Sequence, residues 1–173
     1  MQLHLLGTTP CLTIYYDSGN DWLFLDWQGE LTLTAVQQAC VEVGHCLLQR
    51  PYPRVLNSNA QVTDVSLSVA AWLVTEFMPH AKLAGIEHLA WVGSPSLRGR
   101  SMVQTVVNWL SQASIDIFYD LDEAVNWLQH LGPLPLPGDT LPQRLPATQA
   151  KLTQVVHRLA QKAAARRPLL PQE

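Results

Sequence analysis

The hydrophobic pattern near the start of the chain predicts a hairpin followed by a helix. Leu12–Tyr16 and Trp22–Trp27 are short runs of aliphatic, aromatic and β-branched residues, and the turn-forming sequence DSGN separates them. These two runs predict a β-hairpin. Residues 33–49 then place apolar side chains at a spacing of three to four, which predicts a helix that Thr32 or Thr34 caps.

The clearest change of pattern lies within Ile115–Leu128. Its first residues alternate in the manner of a strand as far as Tyr119. Asp120 suits a helix N-cap, Glu123 stands three residues later as in a capping box, and apolar residues then recur at helical spacing. A strand that leads directly into a capped helix is the repeating unit of α/β domains.

Strands and helices alternate in the same way through the middle of the chain. Short strands are predicted at 54–56 and 88–92, and helices at 66–77 and 97–112. The predicted order over residues 10–131 is β-β-α-β-α-β-α-β-α. Strands that helices separate run parallel, whereas the first hairpin is antiparallel. The predicted fold class is therefore α/β, with a mixed β-sheet and packed helices.

The chain changes character after the predicted α/β domain at 1–131. Residues 132–146 are rich in proline, which excludes a regular helix and predicts an extended linker. Residues 147–173 begin with an apolar stripe flanked by lysine and arginine. This last segment predicts a basic amphipathic accessory helix and tail.

Charge is distributed unevenly over the 173 residues. Only 14% of them are charged and 47% are apolar, which excludes a disordered chain. Residues 1–143 carry 13 acidic and 5 basic side chains, whereas residues 144–173 carry 1 acidic and 6 basic ones. The basic helix is expected to dock on the acidic domain of its own or a neighbouring subunit. A helix on an anionic membrane or nucleic acid and a solvated helix are the alternatives.

Cysteine spacing and the N-terminal sequence indicate a reduced, cytoplasmic protein. Cys11, Cys40 and Cys46 form no CxxC pair, and neither they nor the histidines have the spacing of a metal site. The first residues lack the basic region of a signal peptide, and no apolar run approaches the length of a bilayer span. We expect no metal, no cofactor and no membrane span. No aromatic residue lies among the basic residues of the tail, so nucleic acid is not an expected partner.

The polar sequence after the strand at 54–56 is the first candidate site. It follows the carboxyl end of a predicted strand, where open α/β sheets bind ligands. The alternative is that its side chains only cap and turn the chain. The candidate ligand or partner turn comprises Asn57, Ser58, Asn59, Asp64 and Ser66.

A second candidate is an anion site at Arg98 and Arg100, near the start of a predicted helix. No catalytic residues are predicted. Ser94 follows a strand and precedes a helix, but the G-x-S-x-G pattern is absent and Pro95 offers no N–H for an oxyanion hole.

The ordered set of elements resembles the STAS superfamily, and within it the SpoIIAA-like bacterial branch. The residues that carry the resemblance are YYD at 15–17, WLFLDWQG at 22–29, VLNSN at 55–59, FMPHAKLAGIEHLAWV at 77–92 and FYDLDEAVNWL at 118–128. The resemblance implies a non-enzymatic domain.

Regulatory members of that family are phosphorylated on a serine in a motif similar to D-S-x-G at the start of the helix after the third strand. Asp64 and Ser66 lie near the corresponding place, and Ser58 precedes them, but the D-S-x-G run itself is absent.

The leading hypothesis is a non-enzymatic regulatory domain that acts by protein–protein contact, as a homodimer. The alternative is a carrier of a small lipophilic ligand, because the STAS fold resembles the lipid-binding CRAL-TRIO fold in outline. An enzyme is a third hypothesis, and it would require distant residues such as Asp64 and His80 or His88 to meet in a cleft.

Overall fold

A computed structural model describes residues 1–96, 99–101, 114–131 and 144–165 of the chain. Within these residues the chain forms one mixed β-sheet with helices on both faces. The strands are β1 (Leu3–Thr9), β2 (Leu12–Asp17), β3 (Trp22–Leu31), β4 (Arg54–Val65), β5 (His88–Val92) and β6 (Ser114–Phe118). The helices are α1 (Leu33–Gln49), α2 (Leu67–Trp72), α3 (Leu121–His130) and α4 (Pro146–Ala165).

The spatial order of the strands is β1-β2-β3-β4-β5-β6. The pairs β1–β2 and β2–β3 are antiparallel, whereas β3, β4, β5 and β6 run parallel to one another. The predicted fold class, a mixed sheet with an antiparallel hairpin followed by parallel strands, is confirmed.

The sequence pattern missed β1, which lies at the edge of the sheet, outside the predicted hairpin of β2 and β3. β1 pairs with β2, and its register shifts between Leu5 and Gly7. Its leucines stay exposed, so they show no alternation between a buried and a solvent face. A strand with neither alternation nor buried residues lacks the signal on which strand prediction rests.

Trp22 and Trp27 lie five positions apart on β3 and pack on opposite faces of the sheet, as strand geometry requires. Trp27 joins the larger core, which α1, α2 and α4 cover. Trp22 joins the smaller core, which α3 covers. Both indoles are buried within the single chain, at 0% exposure for Trp22 and 6% for Trp27.

The helix starts follow the local sequence. Thr32 accepts a hydrogen bond from the Ala35 amide at 3.3 Å, and Asp120 accepts from the amides of Asp122 and Glu123 at 2.8 and 3.1 Å. These two caps confirm the predicted starts of α1 and α3.

The second helix departs from the prediction of a regular helix over 66–77. α2 ends at Trp72, and a π-helical turn (Leu73–Phe77) and a 3-10 turn (Met78–His80) continue it. We call residues 73–80 the roof segment, because they lie over the larger core.

The C-terminal helix α4 packs against α1 of the same chain. Its buried residues are Leu152, Val156, Leu159 and Ala163, the stripe of small and aliphatic side chains predicted from the sequence. Polar contacts fix its start. Arg144 Nη2 donates to the carbonyls of Arg50 and Ala84, and Gln149 Nε2 donates to that of Leu48. Leu48 and Arg50 lie at the end of α1, so Gln149 of α4 and Arg144 just before it provide partners for the last carbonyls of α1.

Part of the predicted organisation falls on residues that the structure does not describe. Most of the predicted helix at 97–112 and of the predicted linker at 132–146 lies outside the described residues. The division into domain, linker and tail therefore stays a prediction.

Candidate functional site

The predicted polar turn over residues 57–64 is wrong, because these residues belong to the long central strand β4. Asn57 lies between Leu25 of β3 and Trp91 of β5 in the sheet. Asn, Ser and Asp favour turns through local hydrogen bonds, but here pairing with β3 along the strand, and with β5 as far as Ser58, supplies the backbone partners instead. β4 is irregular only near Asp26 and Gln28 of its neighbour β3 and again beside Gly29, where the register shifts.

Two of the predicted residues, Asn57 and Asn59, face the larger core. Both side chains are buried, with 7% and 2% of their surface exposed. Asn57 Oδ1 accepts a hydrogen bond from Trp27 Nε1 at 2.9 Å. Since an indole nitrogen only donates, this bond sets the orientation of the Asn57 amide and directs its NH₂ group elsewhere.

Ser58 has a different environment, because neighbouring residues of a strand point to opposite faces. It is 2% exposed, and its Oγ accepts a weak hydrogen bond from the Ala60 amide at 3.4 Å. Burial raises the pKa of nearby Asp26, and a hydrogen bond with Ser58 lowers it in part. Ser58 is out of reach of a kinase in this conformation.

Asp64 and Ser66 lie beyond these residues along the chain, where β4 ends and α2 begins. Asp64 Oδ1 accepts from the Val65 amide at 2.9 Å. Ser66 is exposed, and its hydroxyl lies 2.7 Å from that of Ser68. The five predicted residues therefore do not form one site: two line the larger core, one faces away from it, and two lie at the end of the strand.

A cavity of about 60 Å³ lies against Asn57 and Asn59. The sheet forms its floor, α1 lies along it, and the roof segment contributes Leu73, Phe77 and Met78. Nearly all of its wall is aliphatic or aromatic. The polar groups among the lining residues are the amides of Asn57 and Asn59, the indoles of Trp27 and Trp91 and the thiol of Cys40.

Three N–H donors at this cavity have no hydrogen-bond partner among the described residues. They are Asn57 Nδ2, Asn59 Nδ2 and Trp91 Nε1. Trp91 lies in the strand that the sequence pattern predicts at 88–92. Its position beside Asn57 depends on the parallel register of β4 and β5, for which the sequence contains no local signal.

Two polar contacts from α4 hold the roof segment. Lys162 Nζ lies 2.8 Å from Glu76 Oε2, and a hydrogen bond with Lys162 lowers the pKa of Glu76. Arg158 Nη2 donates to His80 Nε2 at 3.1 Å. Burial lowers the pKa of His80, and the guanidinium charge of Arg158 lowers it further.

The structure describes only one of the two residues of the predicted anion site. Arg98 lies outside the described residues. Arg100 is exposed, and its Nη2 donates to the carbonyl of Pro95 at 3.0 Å. The guanidinium of Arg100 is therefore hydrogen-bonded to the backbone of the preceding loop.

The cysteines and other ionisable groups form no metal cluster within the described ranges. All three cysteines are free and buried, and burial raises the pKa of each thiol. Among the helices of the described segments, none combines the length and the apolar character needed to cross a membrane.

Comparison with known proteins gives a family and several similar structures, among them the two described below. The model of the SpoIIAA-like family matches residues 22–129. An uncharacterized protein with a SpoIIAA-like fold from Shewanella loihica PV-4 is 20% identical, with a TM-score of 0.50, over 71% of this chain and 98% of that one. The anti-sigma factor antagonist SpoIIAA, in its unphosphorylated form, is 15% identical, with a TM-score of 0.47, over 75% of this chain and 99% of that one. No curated protein matches the sequence.

Proposed function

The chain belongs to the SpoIIAA-like family, and on that premise we propose that it is a non-enzymatic, cytoplasmic regulatory domain that acts by protein–protein contact. Its first partner in this proposal is a second copy of itself. The observation that carries the proposal is the edge strand β1, whose apolar side chains are exposed to solvent.

β1 forms one end of the sheet that the described residues build. Leu3, Leu5 and Leu6 are 41%, 62% and 39% exposed, and Met1 beside them is 58% exposed. Natural edge strands usually carry charged residues or proline, which prevent pairing with another chain. The sequence LHLLGTT of β1 contains neither.

A second copy suits this edge because it presents the same strand. Two β1 strands related by a twofold axis pair antiparallel, so each edge supplies the backbone partners that the other lacks. The same contact covers the leucines of both copies. Such a dimer would extend the sheet without disturbing either core.

Light scattering on the full-length protein tests this proposal. We expect the wild type to be a dimer and Leu5→Lys to be a monomer with an unchanged circular dichroism spectrum. Leu67→Lys is the matched control, because Leu67 is 80% exposed but lies at the start of α2. A monomeric wild type, or equal loss of the dimer in both variants, would contradict the role of β1.

A second candidate function is that of a carrier for a small lipophilic ligand. The cavity beneath the roof segment favours it, since ligand sites are typically apolar pockets with a few polar groups. Native mass spectrometry of the freshly purified full-length chain tests it. A co-purifying small molecule supports the carrier, and a mass equal to that of the polypeptide alone counts against it.

A further inference from the structure

The cavity beneath the roof segment has an unusual set of polar groups. Asn57 Nδ2, Asn59 Nδ2 and Trp91 Nε1 all lack a hydrogen-bond partner among the described residues, and all three are donors. Their side chains are at least nine-tenths buried. Buried polar groups in native proteins are normally paired, so three unpaired donors at one cavity indicate a missing acceptor.

The local hydrogen bonding explains why these donors stay unpaired. The Asn57 carbonyl oxygen already accepts from Trp27, so it is occupied, and the NH₂ group of Asn57 has no acceptor nearby. The rest of the wall consists almost wholly of hydrocarbon side chains. The acceptor therefore comes from outside the protein, as water or as a bound molecule.

The uncharged lining of the cavity, as far as the structure describes it, limits the chemical class of the bound molecule. No charged side chain is among the described residues that line the cavity. An anion would lose its hydration there without gaining a cation, which is strongly unfavourable. A neutral carbonyl oxygen has two lone pairs and can accept from these donors at a much smaller desolvation cost.

We propose that the cavity binds a small, uncharged lipophilic molecule through a carbonyl oxygen that accepts hydrogen bonds from Asn57, Asn59 and Trp91. This inference deepens the carrier function and rests on it. The volume of about 60 Å³ exceeds the ~10–15 Å³ that one water molecule requires, so the cavity has room for a small ligand in place of several waters.

Three probes of similar size separate the possibilities. Acetophenone carries a neutral carbonyl, ethylbenzene lacks an acceptor, and benzoate carries a charge. Titration of the full-length protein, followed by tryptophan fluorescence and calorimetry, gives the three affinities. We expect acetophenone to bind about tenfold more tightly than ethylbenzene, the ratio typical of one or two net hydrogen bonds, and benzoate to bind most weakly.

Asn59→Leu sharpens the test, because it replaces one donor with an apolar side chain of similar size. We expect it to reduce the preference for acetophenone over ethylbenzene without abolishing it, because Asn57 and Trp91 still donate. Leu67→Lys, remote from the cavity lining, should keep that preference. The comparison of the three probes on the wild type needs no variant, so a folding defect in Asn59→Leu does not decide the outcome.

Several results would overturn the inference. Equal affinity for acetophenone and ethylbenzene would show that the donors do not contribute, although a lipophilic carrier would remain. Tighter binding of benzoate would show an anion site. Binding of none of the probes would show that water alone occupies the cavity. A co-purifying lipid together with no probe binding would preserve the carrier function and place its site elsewhere.

Discussion

Trp27 Nε1 donates a hydrogen bond to Asn57 Oδ1 across 2.9 Å, between strands whose sequences lie 30 residues apart. The bond joins two buried polar groups on the floor of the cavity. It distinguishes the two asparagines of β4, because the Asn57 carbonyl oxygen has this partner, whereas the NH₂ group of Asn59 has no partner within the described residues.

The first prediction concerns stability. Asn57→Leu should lower the free energy of unfolding by ~1–3 kcal/mol, because it leaves the buried Trp27 N–H without an acceptor. Asn59→Leu is the control, and it should leave the free energy of unfolding unchanged or raise it, since it removes an unpaired buried donor. Urea denaturation followed by circular dichroism measures both. Equal destabilisation by the two substitutions would contradict this account.

The second prediction concerns the contact between α1 and α4. A Cβ added at Gly44 would lie 2.9 Å from Cγ2 of Val156, which is closer than side chains tolerate. Gly44→Ala should therefore loosen α4 at a cost of ~1–3 kcal/mol, despite the higher helix propensity of alanine. Hydrogen exchange of the α4 backbone amides measures this loss of stability.

A double substitution provides the control for this contact. Val156→Ala removes the two methyl groups that would clash with a methyl group added at Gly44. In that background Gly44→Ala should no longer be destabilising. If the Gly44→Ala penalty were the same in both backgrounds, the close approach of these two residues would not be its cause.

The third prediction is a dependence of stability on pH through His80. Its pKa is lower in the folded protein than its ordinary value of 6.5, so the unfolded chain binds the proton more readily. The contribution of His80 to the free energy of unfolding should thus have its full value above about pH 6.5 and should fall as the pH drops through and below that value. Protonation also removes the lone pair that accepts from Arg158.

His80→Gln is the matched control, because glutamine can accept from Arg158 but does not titrate. Denaturation at about pH 7.5 and about pH 5.5 should show a smaller drop in stability for His80→Gln than for the wild type. The pKa of Glu76 is lowered from 4.5, so its contribution is lost only in more acidic solution. An equal drop in both proteins would exclude His80 as the titrating group.

The fourth prediction compares two helix starts. Asp120 accepts two amide hydrogen bonds at the start of α3, whereas Ser66 makes no side-chain cap at the start of α2. Asp120→Ala should cost ~1 kcal/mol, and Ser66→Ala should cost much less. Thermal denaturation of the two variants measures the difference. A larger loss of stability for Ser66→Ala than for Asp120→Ala would show that the cap hydrogen bonds do not determine the difference between the two variants.

Local sequence signals determined the types of most elements and the starts of α1 and α3. The caps of α1 and α3, the hairpin of β2 and β3 and the apolar stripe of α4 all depend on residues within a few positions of one another. Such signals act over the length of one turn of helix or one strand, so they can be recognised from the sequence alone. The opposite faces of Trp22 and Trp27 followed in the same way from the period of a strand.

Only the tertiary structure decided the site. The polar residues of β4 have the composition of a turn, but pairing with β3 and β5 extends them into a strand. The meeting of Trp27, Asn57 and Trp91 depends on the register of three strands that are distant along the chain. Register is set by packing and backbone pairing across the whole sheet, and therefore no local pattern could show that these groups face one cavity.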